Sequence, residues 1–284
     1  MENEMKEFER VFIDSLRGTT VPMDTVLGHV AAAKGKRLRP RLVFLSALLF
    51  GDINDSTRRT AQFVEMLHTA TLIHDDVIDE SDVRRGQATV NAVWGNTTAV
   101  LSGDYLLTKA MKILSNPVDL EILQEMLSTV MMMVEGEMMQ SGELKAKSGA
   151  LRAESGTAKP STKRSELKLR DNNYLEIIER KTARLIRSCC VGGAMSVLFE
   201  KTEDRSKKLE LMGEFGLNLG LVFQMRDDIL DDDDHDNTVI AERLLPQYLY
   251  KALKSLDAMA PWVKDLNTLT RLRELTVFCA ERNH

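Results

Sequence analysis

The sequence predicts an all-α protein, folded as a single-domain bundle of roughly ten or more helices around a central cavity. Good helix formers such as Leu, Ala, Met, Glu, Lys and Arg dominate its 284 residues. Apolar residues recur along almost the whole chain at a spacing of about 3.6 residues, which places them on one face of a helix. An aromatic content of 5% and only six prolines argue against a β-sandwich or a β-barrel.

The composition also limits the number of domains, the partners and the compartment. No Pro- or Gly-rich linker divides the helical segments, so we expect one domain over residues 1–284. A net charge of −5 argues against a nucleic-acid binder. Cys189, Cys190 and Cys279 have no metal-ligand spacing, and this pattern indicates a reducing compartment. Cys189 and Cys190 lie in an apolar segment, so we expect them to be buried thiols. Because there is no signal peptide and no apolar run of about 18 residues, we expect a cytoplasmic protein without a stable membrane span.

Glycine and proline mark the turns between the predicted helices, for example at Gly51-Asp52 and Asn116-Pro117. Several of these helices are apolar on more than one face, so we expect them to lie at the centre of the bundle. The predicted helices cover residues 2–17, 39–50, 56–80, 97–115, 118–140, 172–200, 203–232, 247–259 and 265–282.

One segment lacks the helical pattern. Residues 141–171 read SGELKAKSGALRAESGTAKPSTKRSELKLRD and contain few large apolar groups. Such a segment cannot bury enough surface to offset the entropy lost on ordering it. We therefore predict a mobile insertion loop between two helices.

The first candidate site is the segment HTATLIHDDVIDESDVRRG. Asp75 and Asp79 are four residues apart and share one face of a helix, with Asp76 about 100° further round. The apolar residues before them indicate that this face enters the core, where neighbouring carboxylates need a cation. Mg²⁺ suits such oxygen ligands and keeps coordination positions for water and phosphate. Arg84 and Arg85 follow within two turns, and their planar guanidinium groups suit phosphate oxygens.

The segment LNLGLVFQMRDDILDDDD repeats this arrangement. Asp227, Asp228 and Asp231 form a second DDxxD pattern, with Gln224 one turn earlier. An isolated DDxxD can equally be a solvated helix end, and the acids after Asp231 are expected in solvent. Two such motifs, each at the end of an apolar helix, are far more specific than either alone. If the two helices face each other, they form a cage of six carboxylates that can hold several Mg²⁺ ions around one diphosphate.

Together these motifs resemble those of the trans-isoprenyl diphosphate synthases, the all-α polyprenyl synthetase family, in its long-chain type. The resemblance extends from about residue 30 to residue 231 in the family order. Its motifs range from weak, such as GDYLL, to quite specific, such as the two aspartate-rich segments. The matched segments are KGKRLRP (34–40), EMLHTATLIHDDVIDESDVRRG (65–86), GDYLL (103–107), EGEMMQ (135–140), YLEIIERKTARL (174–185) and GLVFQMRDDILD (220–231).

The resemblance implies a bundle of the isoprenoid synthase type with two diphosphate pockets. The residues matched to isopentenyl diphosphate binding are Lys36, Arg39, His68 and Arg85. The residues matched to allylic diphosphate binding are Arg84, Lys181, Thr182 and Gln224. The residues matched to Mg²⁺ binding are Asp75, Asp76, Asp79, Asp227, Asp228 and Asp231, which with Lys181 form the implied catalytic set.

The same resemblance implies a reaction and an assembly. Isopentenyl diphosphate would condense with an allylic diphosphate, such as farnesyl diphosphate, by ionisation, condensation and elimination. Ala70 and Thr71 lie one turn before Asp75, where bulky aromatics in the family shorten the product, so these small residues favour a long-chain all-trans polyprenyl diphosphate. A homodimer is also implied, with the apolar helices over 97–140 as one candidate interface.

The chain departs from the family after Asp231. It has no Lys-x-x-Gly-x-Asp loop to meet the allylic diphosphate, and the nearest basic residue is Arg243, so the C-terminal part looks shortened. Three interpretations follow: an active synthase, a catalytically impaired homologue that acts as a binding or partner subunit, and a class I terpene cyclase. The cyclase is disfavoured because it needs no second pocket built from Lys36, Arg39 and His68. The active synthase is favoured.

Overall fold

The computed structural model describes residues 1–33, 35–140, 163–232 and 234–283. Within these ranges the chain is almost entirely helical, and the all-α prediction is confirmed. A π-helical turn at Glu179–Ala183 joins the helix Lys163–Ile178 to the helix Arg184–Met195. In chain order the elements are α1 (Glu2–Ser15), α2 (Val21–Ala32), α3 (Leu38–Phe50), α4 (Asp55–Ile78), β1 (Val83–Arg84), β2 (Gln87–Ala88), α5 (Val90–Trp94), α6 (Asn96–Ile113), α7 (Leu120–Gln140), α8 (Lys163–Ile178), α9 (Arg184–Met195), α10 (Glu203–Asp231), α11 (His235–Met259) and α12 (Leu266–Glu281), with short 3-10 turns at Pro117–Asp119 and Ala260–Trp262.

Helix caps determine where the two acidic motifs come to lie. Helix α4 begins at a capping box in which Asn54 accepts from the Thr57 amide and Thr57 accepts from the Asn54 amide, at 3.0 and 3.3 Å. It ends at Asp79, so the first motif occupies its last turn. Helix α10 ends at Asp231, followed by Asp232 in the left-handed conformation at φ 48°. Both motifs are therefore held at the C-terminal ends of long helices.

Several predicted boundaries were wrong. Helix α2 was not predicted. The hairpin of β1 and β2 and helix α5 lie between the predicted helices 56–80 and 97–115, where no structure was predicted. Residues 163–171 belong to α8 rather than to the predicted insertion loop, whose other residues, 141–162, lie outside the described ranges. Helix α11 begins at His235, twelve positions before the predicted 247, and accommodates Pro246 in its interior.

The core is centred on α9, where nearly every residue from Leu185 to Met195 is buried. A Cβ atom on Gly193 would lie 2.3 Å from the backbone oxygen of Val43, so the absence of a side chain lets α9 approach α3 closely. The three cysteines are free and buried, as predicted for Cys189 and Cys190, and burial raises the pKa of Cys190 to about 12. Core packing on all sides of α9 thus fixes the frame that carries the site.

None of the helices in the described ranges combines the length and the apolar character needed to cross a lipid bilayer.

Candidate active site

A cavity of ≈ 800 Å³ lies between the C-terminal ends of α4 and α10 and the helices α6 and α7. The part of its lining near the aspartates is polar and charged. The other part, called the lower part below, is formed by apolar side chains of α4, α6 and α7, among them Leu67, Leu107 and Met133. The predicted site residues that line it are Arg39, His68, Ala70, Thr71, Asp75, Asp79, Arg84, Arg85, Lys181, Thr182, Gln224 and Asp227.

The first acidic motif divides its side chains between two environments. Asp75 and Asp79 line the cavity, whereas Asp76 is only 5% exposed and accepts a hydrogen bond from Arg84 Nε at 2.6 Å. Successive side chains on a helix point about 100° apart, so Asp76 turns away from its neighbour into a smaller cavity of ≈ 80 Å³ beside α1 and α2. Arg84, predicted to bind phosphate, is therefore already paired within the protein.

Asp75 is the least compensated acid at the cavity. Burial, followed by the nearby charge of Glu137, raises its pKa to about 6, against the opposing effect of Lys181. Lys181 Nζ itself lies 2.8 Å from Glu137 and donates to Gln140 at 2.9 Å. Lys181 thus faces two carboxylates, those of Asp75 and Glu137, and this wall of the cavity has more negative than positive charge.

The two arginines after the first motif lie on a tight β-hairpin. The register Arg84↔Gln87 leaves Arg85-Gly86 as a two-residue loop, with φ of 54° and 77°, typical of a type I′ turn. A left-handed conformation costs about 1 kcal/mol or more for a residue with a side chain. This backbone directs Arg85 to the cavity, where it pairs with no described carboxylate.

The basic loop before α3 separates a structural arginine from the cations at the cavity. Arg37 binds Glu9 and Glu65 at 2.8 and 2.7 Å and is neutralised there. Arg39 lines the cavity, and its buried Nε atom has no hydrogen-bond partner in the described chain. Lys36 is exposed and lies outside the cavity lining, although its charge acts to lower the pKa of Asp227.

His68 lies among these cations. Burial, and then the charges of Arg39 and Arg85, hold its pKa well below the usual range. The imidazole is therefore neutral and can donate a hydrogen bond without adding to the charge. An unpaired buried guanidinium and a neutral imidazole form a site that suits an anion with several oxygen atoms.

The second acidic motif also divides its side chains. Asp227 lines the cavity and pairs with Arg282, whose guanidinium also lies 4.1 Å above the ring of Phe223. Burial raises the pKa of Asp227 despite this partner. Asp228 accepts from Tyr174 Oη at 2.5 Å and from Gln224 Nε2 at 2.9 Å, and Asp231 is exposed at the helix end.

The predicted cage of six carboxylates does not form. Asp75, Asp79 and Asp227 line the cavity, but Asp76, Asp228 and Asp231 lie outside its lining, because neighbouring aspartates on a helix point in different directions. In the described part of the chain no group of three acid, histidine or cysteine side chains is arranged to hold a metal ion by itself.

The donor set nevertheless fits Mg²⁺. This ion usually binds one or two carboxylates and takes its other ligands from water and substrate phosphates. Asp75 and Asp79 supply such carboxylates on one wall and Asp227 supplies one on another. Burial and the charge of Glu137 raise the pKa of Asp75, so a nearby cation would favour its ionised form. A metal–diphosphate complex would provide that charge.

Three residues at the site were not predicted. Glu137 belongs to the quoted EGEMMQ segment and Tyr174 to YLEIIERKTARL, but neither motif signalled a contact with an aspartate. Arg282 is 55 positions from Asp227 in the sequence, and no local pattern could have paired the two. Arg243, the cation expected near the site, instead pairs with Asp171 at the surface at 2.5 Å.

The acids after Asp231 have an ordinary structural role. Asp232 is the C-terminal cap of α10, and Asp234 caps α11 by accepting from the amides of Asp236 and Asn237 at 3.1 and 3.3 Å. Asp236 pairs with Arg170. The described acids of this run therefore separate two helices and do not line the cavity.

A helical bundle with two aspartate-rich helix ends at one cavity is the architecture of the isoprenoid synthase fold. The chain belongs to the polyprenyl synthetase family, since the Polyprenyl synthetase profile matches residues 21–239.

Named relatives and a solved structure agree with this assignment. The octaprenyl diphosphate synthase of Haemophilus influenzae is 36% identical over 212 residues, which cover 74% of this chain and 57% of that protein. Solanesyl diphosphate synthase 1 of Arabidopsis thaliana is 39% identical over 209 residues, covering 72% and 45%. A crystal structure of polyprenyl synthase from Caulobacter crescentus, complexed with calcium and isoprenyl diphosphate, aligns with a TM-score of 0.78 and 26% identity, covering 100% of this chain and 96% of that one. The chain thus spans about half the length of the curated relatives that it matches.

The raised pKa of Asp75 predicts that Asp75→Asn stabilises the metal-free protein. The folded-state pKa of about 6 exceeds the ordinary value of 3.8, so the native state binds the proton more tightly than the unfolded chain. Stability from this group is full below pH 3.8 and is lost as the pH rises to about 6. At pH 7.5 we expect the free energy of unfolding of the variant to exceed that of the wild type by about 1–2 kcal/mol, after allowance for partial exposure. At pH 3.5 we expect the two free energies to be equal.

Urea unfolding at both pH values, in the presence of a chelator, would measure this difference. Asp257→Asn, which replaces an exposed aspartate with 65% of its side chain accessible, is the control. Equal gains at the two pH values would contradict the expectation.

Proposed function

We propose that this chain is a Mg²⁺-dependent prenyltransferase that condenses isopentenyl diphosphate with an allylic diphosphate to make a long-chain all-trans polyprenyl diphosphate. The observation that carries the proposal is one cavity in which acids from both motifs face unpaired cations above an apolar interior. The relatives named octaprenyl and solanesyl diphosphate synthase support the same reaction.

The two substrates would occupy different walls of the cavity. Arg39, His68 and Arg85, with Lys36 at the rim, offer cationic and neutral donors to the diphosphate of isopentenyl diphosphate. Lys181, Thr182 and Gln224 lie on the wall opposite α4 and would bind the allylic diphosphate, together with the acids through their metal ions. Arg84 would act by holding Asp76, since its charge is already used there.

The chemistry follows from where charge develops. Bound Mg²⁺ would supply positive charge to the diphosphate leaving group as the allylic C–O bond breaks. Lys181 is placed to stabilise the same oxygens, because fixed cations are most effective where charge appears in the transition state. The double bond of isopentenyl diphosphate then forms the new C–C bond with the allylic cation, and loss of a proton restores a double bond. The released diphosphate is the acceptor that we propose for this proton.

The apolar lower part of the cavity would protect the cation from water and receive the growing chain. Val130 and Met133 line it, while Met131 on the same helix is 67% exposed. Ala70 is 1% exposed and lines the cavity one turn before Asp75, and Thr71 lies beside it. These two small side chains leave the passage below the acids open.

A second copy of the chain is the partner that we propose. Leu127, Met131 and Val134 form an exposed apolar stripe on one face of α7, and Leu101 on α6 is exposed as well. Val134 is 57% exposed and also lines the cavity, so the cavity is open on this side. A partner subunit on this stripe would close the cavity to water. The three free thiols support a reducing, cytoplasmic location.

Chain extension is the direct test of the proposed activity. Incubation with farnesyl diphosphate, labelled isopentenyl diphosphate and Mg²⁺ is expected to give polyprenyl diphosphates, identified by chromatography. Replacing Asp75 or Asp227 with alanine should lower turnover by about 10²-fold or more, because each would hold Mg²⁺ at the diphosphate leaving group. Asp257→Ala should keep full activity. No reaction with the wild-type chain would favour the impaired homologue, and a cyclic hydrocarbon would favour the cyclase.

Ala70→Tyr is expected to shorten the product. The phenol ring would fill the passage between the acids and the apolar part of the cavity and block the growing chain. Ala70→Ser, which keeps a small side chain at the same position, should leave the length unchanged. Products of both variants would be compared by mass spectrometry after dephosphorylation, and equal lengths in all three proteins would refute the role of this position.

Met131→Glu is expected to produce a monomer. A charge in the centre of the apolar stripe would have to be desolvated in the interface. Tyr250→Glu places the same charge at a residue that is 66% exposed on α11 and serves as the control. Sedimentation velocity would separate the two outcomes, and an unchanged sedimentation coefficient for Met131→Glu would exclude the stripe as the interface.

A further inference from the structure

The β1–β2 hairpin that carries Arg84 and Arg85 is attached to helix α2 through His29. This residue lies in the last turn of α2, and its Nε2 atom is 2.7 Å from the backbone oxygen of Ala88. The Gln87 Nε2 atom lies 3.0 Å from His29 Nδ1 and 3.0 Å from the backbone oxygen of His29. Both ring nitrogens of His29 therefore contact β2.

The directions of these hydrogen bonds follow from the atoms involved. A carbonyl oxygen can only accept, so the Gln87 nitrogen beside the His29 backbone oxygen is the donating amide group. Because the same nitrogen faces Nδ1, this ring atom accepts, and a neutral imidazole then carries its hydrogen on Nε2. That hydrogen is donated to Ala88. The edge-to-face contact with Trp94, with ring centroids 5.1 Å apart, also restrains the imidazole ring.

Arg85 depends on such restraint because its backbone has a sparsely populated conformation. Its φ of 54° lies in the left-handed region, and a residue with a side chain keeps this conformation only where its surroundings fix it. On the β1 side, Arg84 donates to Asp76 of α4 at 2.6 Å. On the β2 side, His29 provides the attachment to α2. The loop that presents Arg85 is thus anchored to α4 by one strand and to α2 by the other.

The position of the hairpin determines where the Arg85 guanidinium lies. A Cβ atom on Gly35 would be 2.9 Å from Arg85 Nη1, so the guanidinium lies directly against the basic loop before α3. Arg85 lines the substrate cavity together with Arg39 and His68. A movement of the hairpin would change the spacing between Arg85 and these two donors, and a set of donors binds most strongly when it is already arranged for its ligand.

We propose that His29 is a positioning residue that keeps Arg85 in place for binding a diphosphate, acting through the β1–β2 hairpin. The inference rests on the proposed function, because it assigns Arg85 to the diphosphate of isopentenyl diphosphate. His29 lines the smaller cavity of ≈ 80 Å³ and not the substrate cavity, so it would act without touching the substrate. The measured affinity falls in proportion to the time that the hairpin spends away from its binding position.

Calorimetric binding of isopentenyl diphosphate to the full chain tests the inference. His29→Phe keeps an aromatic ring beside Trp94 and removes both polar contacts of the ring with β2. We expect this variant to raise the dissociation constant about fivefold, as for a hairpin that is in place for about one fifth of the time. His235→Phe, the same change at an exposed histidine of α11, is the control and should bind as the wild type does.

Further variants test whether His29 acts through the hairpin and through Arg85. In an Arg85→Ala background, His29→Phe should cause no further loss of affinity. Gln87→Leu removes the partner of Nδ1 from the hairpin side and should also weaken binding, so it tests the inference if His29→Phe does not fold. A wild-type dissociation constant in the folded variants, or a further loss of the same size in the Arg85→Ala background, would overturn the inference.

Two additional measurements separate positioning from a general loss of structure. Without ligand, amide hydrogen exchange over residues 83–88 should be faster in His29→Phe, whereas the core helix α9 should exchange as in the wild type. In chain extension, the KM for isopentenyl diphosphate should rise, while kcat and the KM for the allylic diphosphate stay near their wild-type values. Faster exchange throughout the bundle, or an equal rise in both KM values, would contradict the inference.

The outcomes also separate this inference from the proposed function. Wild-type protein that binds isopentenyl diphosphate but extends no prenyl chain would refute the activity, and weaker binding by His29→Phe would still support the role of His29. An active wild type whose His29→Phe variant binds and reacts normally would refute the role of His29 alone. Wild-type protein that binds no isopentenyl diphosphate would overturn both.

Discussion

The need to hold several carboxylates partly buried at one cavity is the constraint on which the rest of the site depends. Ionised acids in such a place lose hydration and repel one another, and each requires compensation. Asp76 obtains it from a neighbouring arginine, Asp227 from a residue near the end of the chain, and Asp228 from two neutral donors. Asp75 obtains less, and burial together with the charge of Glu137 raises its pKa to about 6.

The arginines near the cavity also divide into paired and unpaired side chains. Arg37 is neutralised by two glutamates behind the cavity, whereas Arg39 and Arg85 reach its lining without a carboxylate partner in the described chain. Core packing against α3 and the tight turn of the hairpin keep these cations from collapsing onto the acids. Acids and unpaired cations therefore line the same cavity, and the proposed metal–diphosphate substrate would compensate both. This arrangement is the physical basis of the proposed reaction.

The sequence predicted the fold class, because the fold class depends on local periodicity. The long helices α4 and α10 follow from their apolar spacing, and their C-terminal aspartates follow from the same pattern. Local spacing could not decide which of two adjacent aspartates faces the cavity, since that depends on the rotation of the whole helix in the bundle. Contacts over long sequence separations, such as that between Arg282 and Asp227, leave no local signal.

The segment after Asp231 illustrates the same limit. From the sequence, the acids of this segment are expected in solvent, and no basic loop of the family type follows them. In the structure the described acids of this run end one helix and begin the next, so they lie away from the cavity lining. The chain end returns instead and brings an arginine to the second motif.

The extra residue in the π-turn at Glu179–Ala183 makes the alignment of the preceding helix sensitive to the gain or loss of one residue. A turn of this kind can arise from, or be erased by, the insertion or loss of a single codon. Erasing it would rotate everything before it by about 100° relative to α9. Tyr174, which precedes the turn, would then lose its contact with Asp228. A comparison of sequences would record such a change only as a gap of one residue.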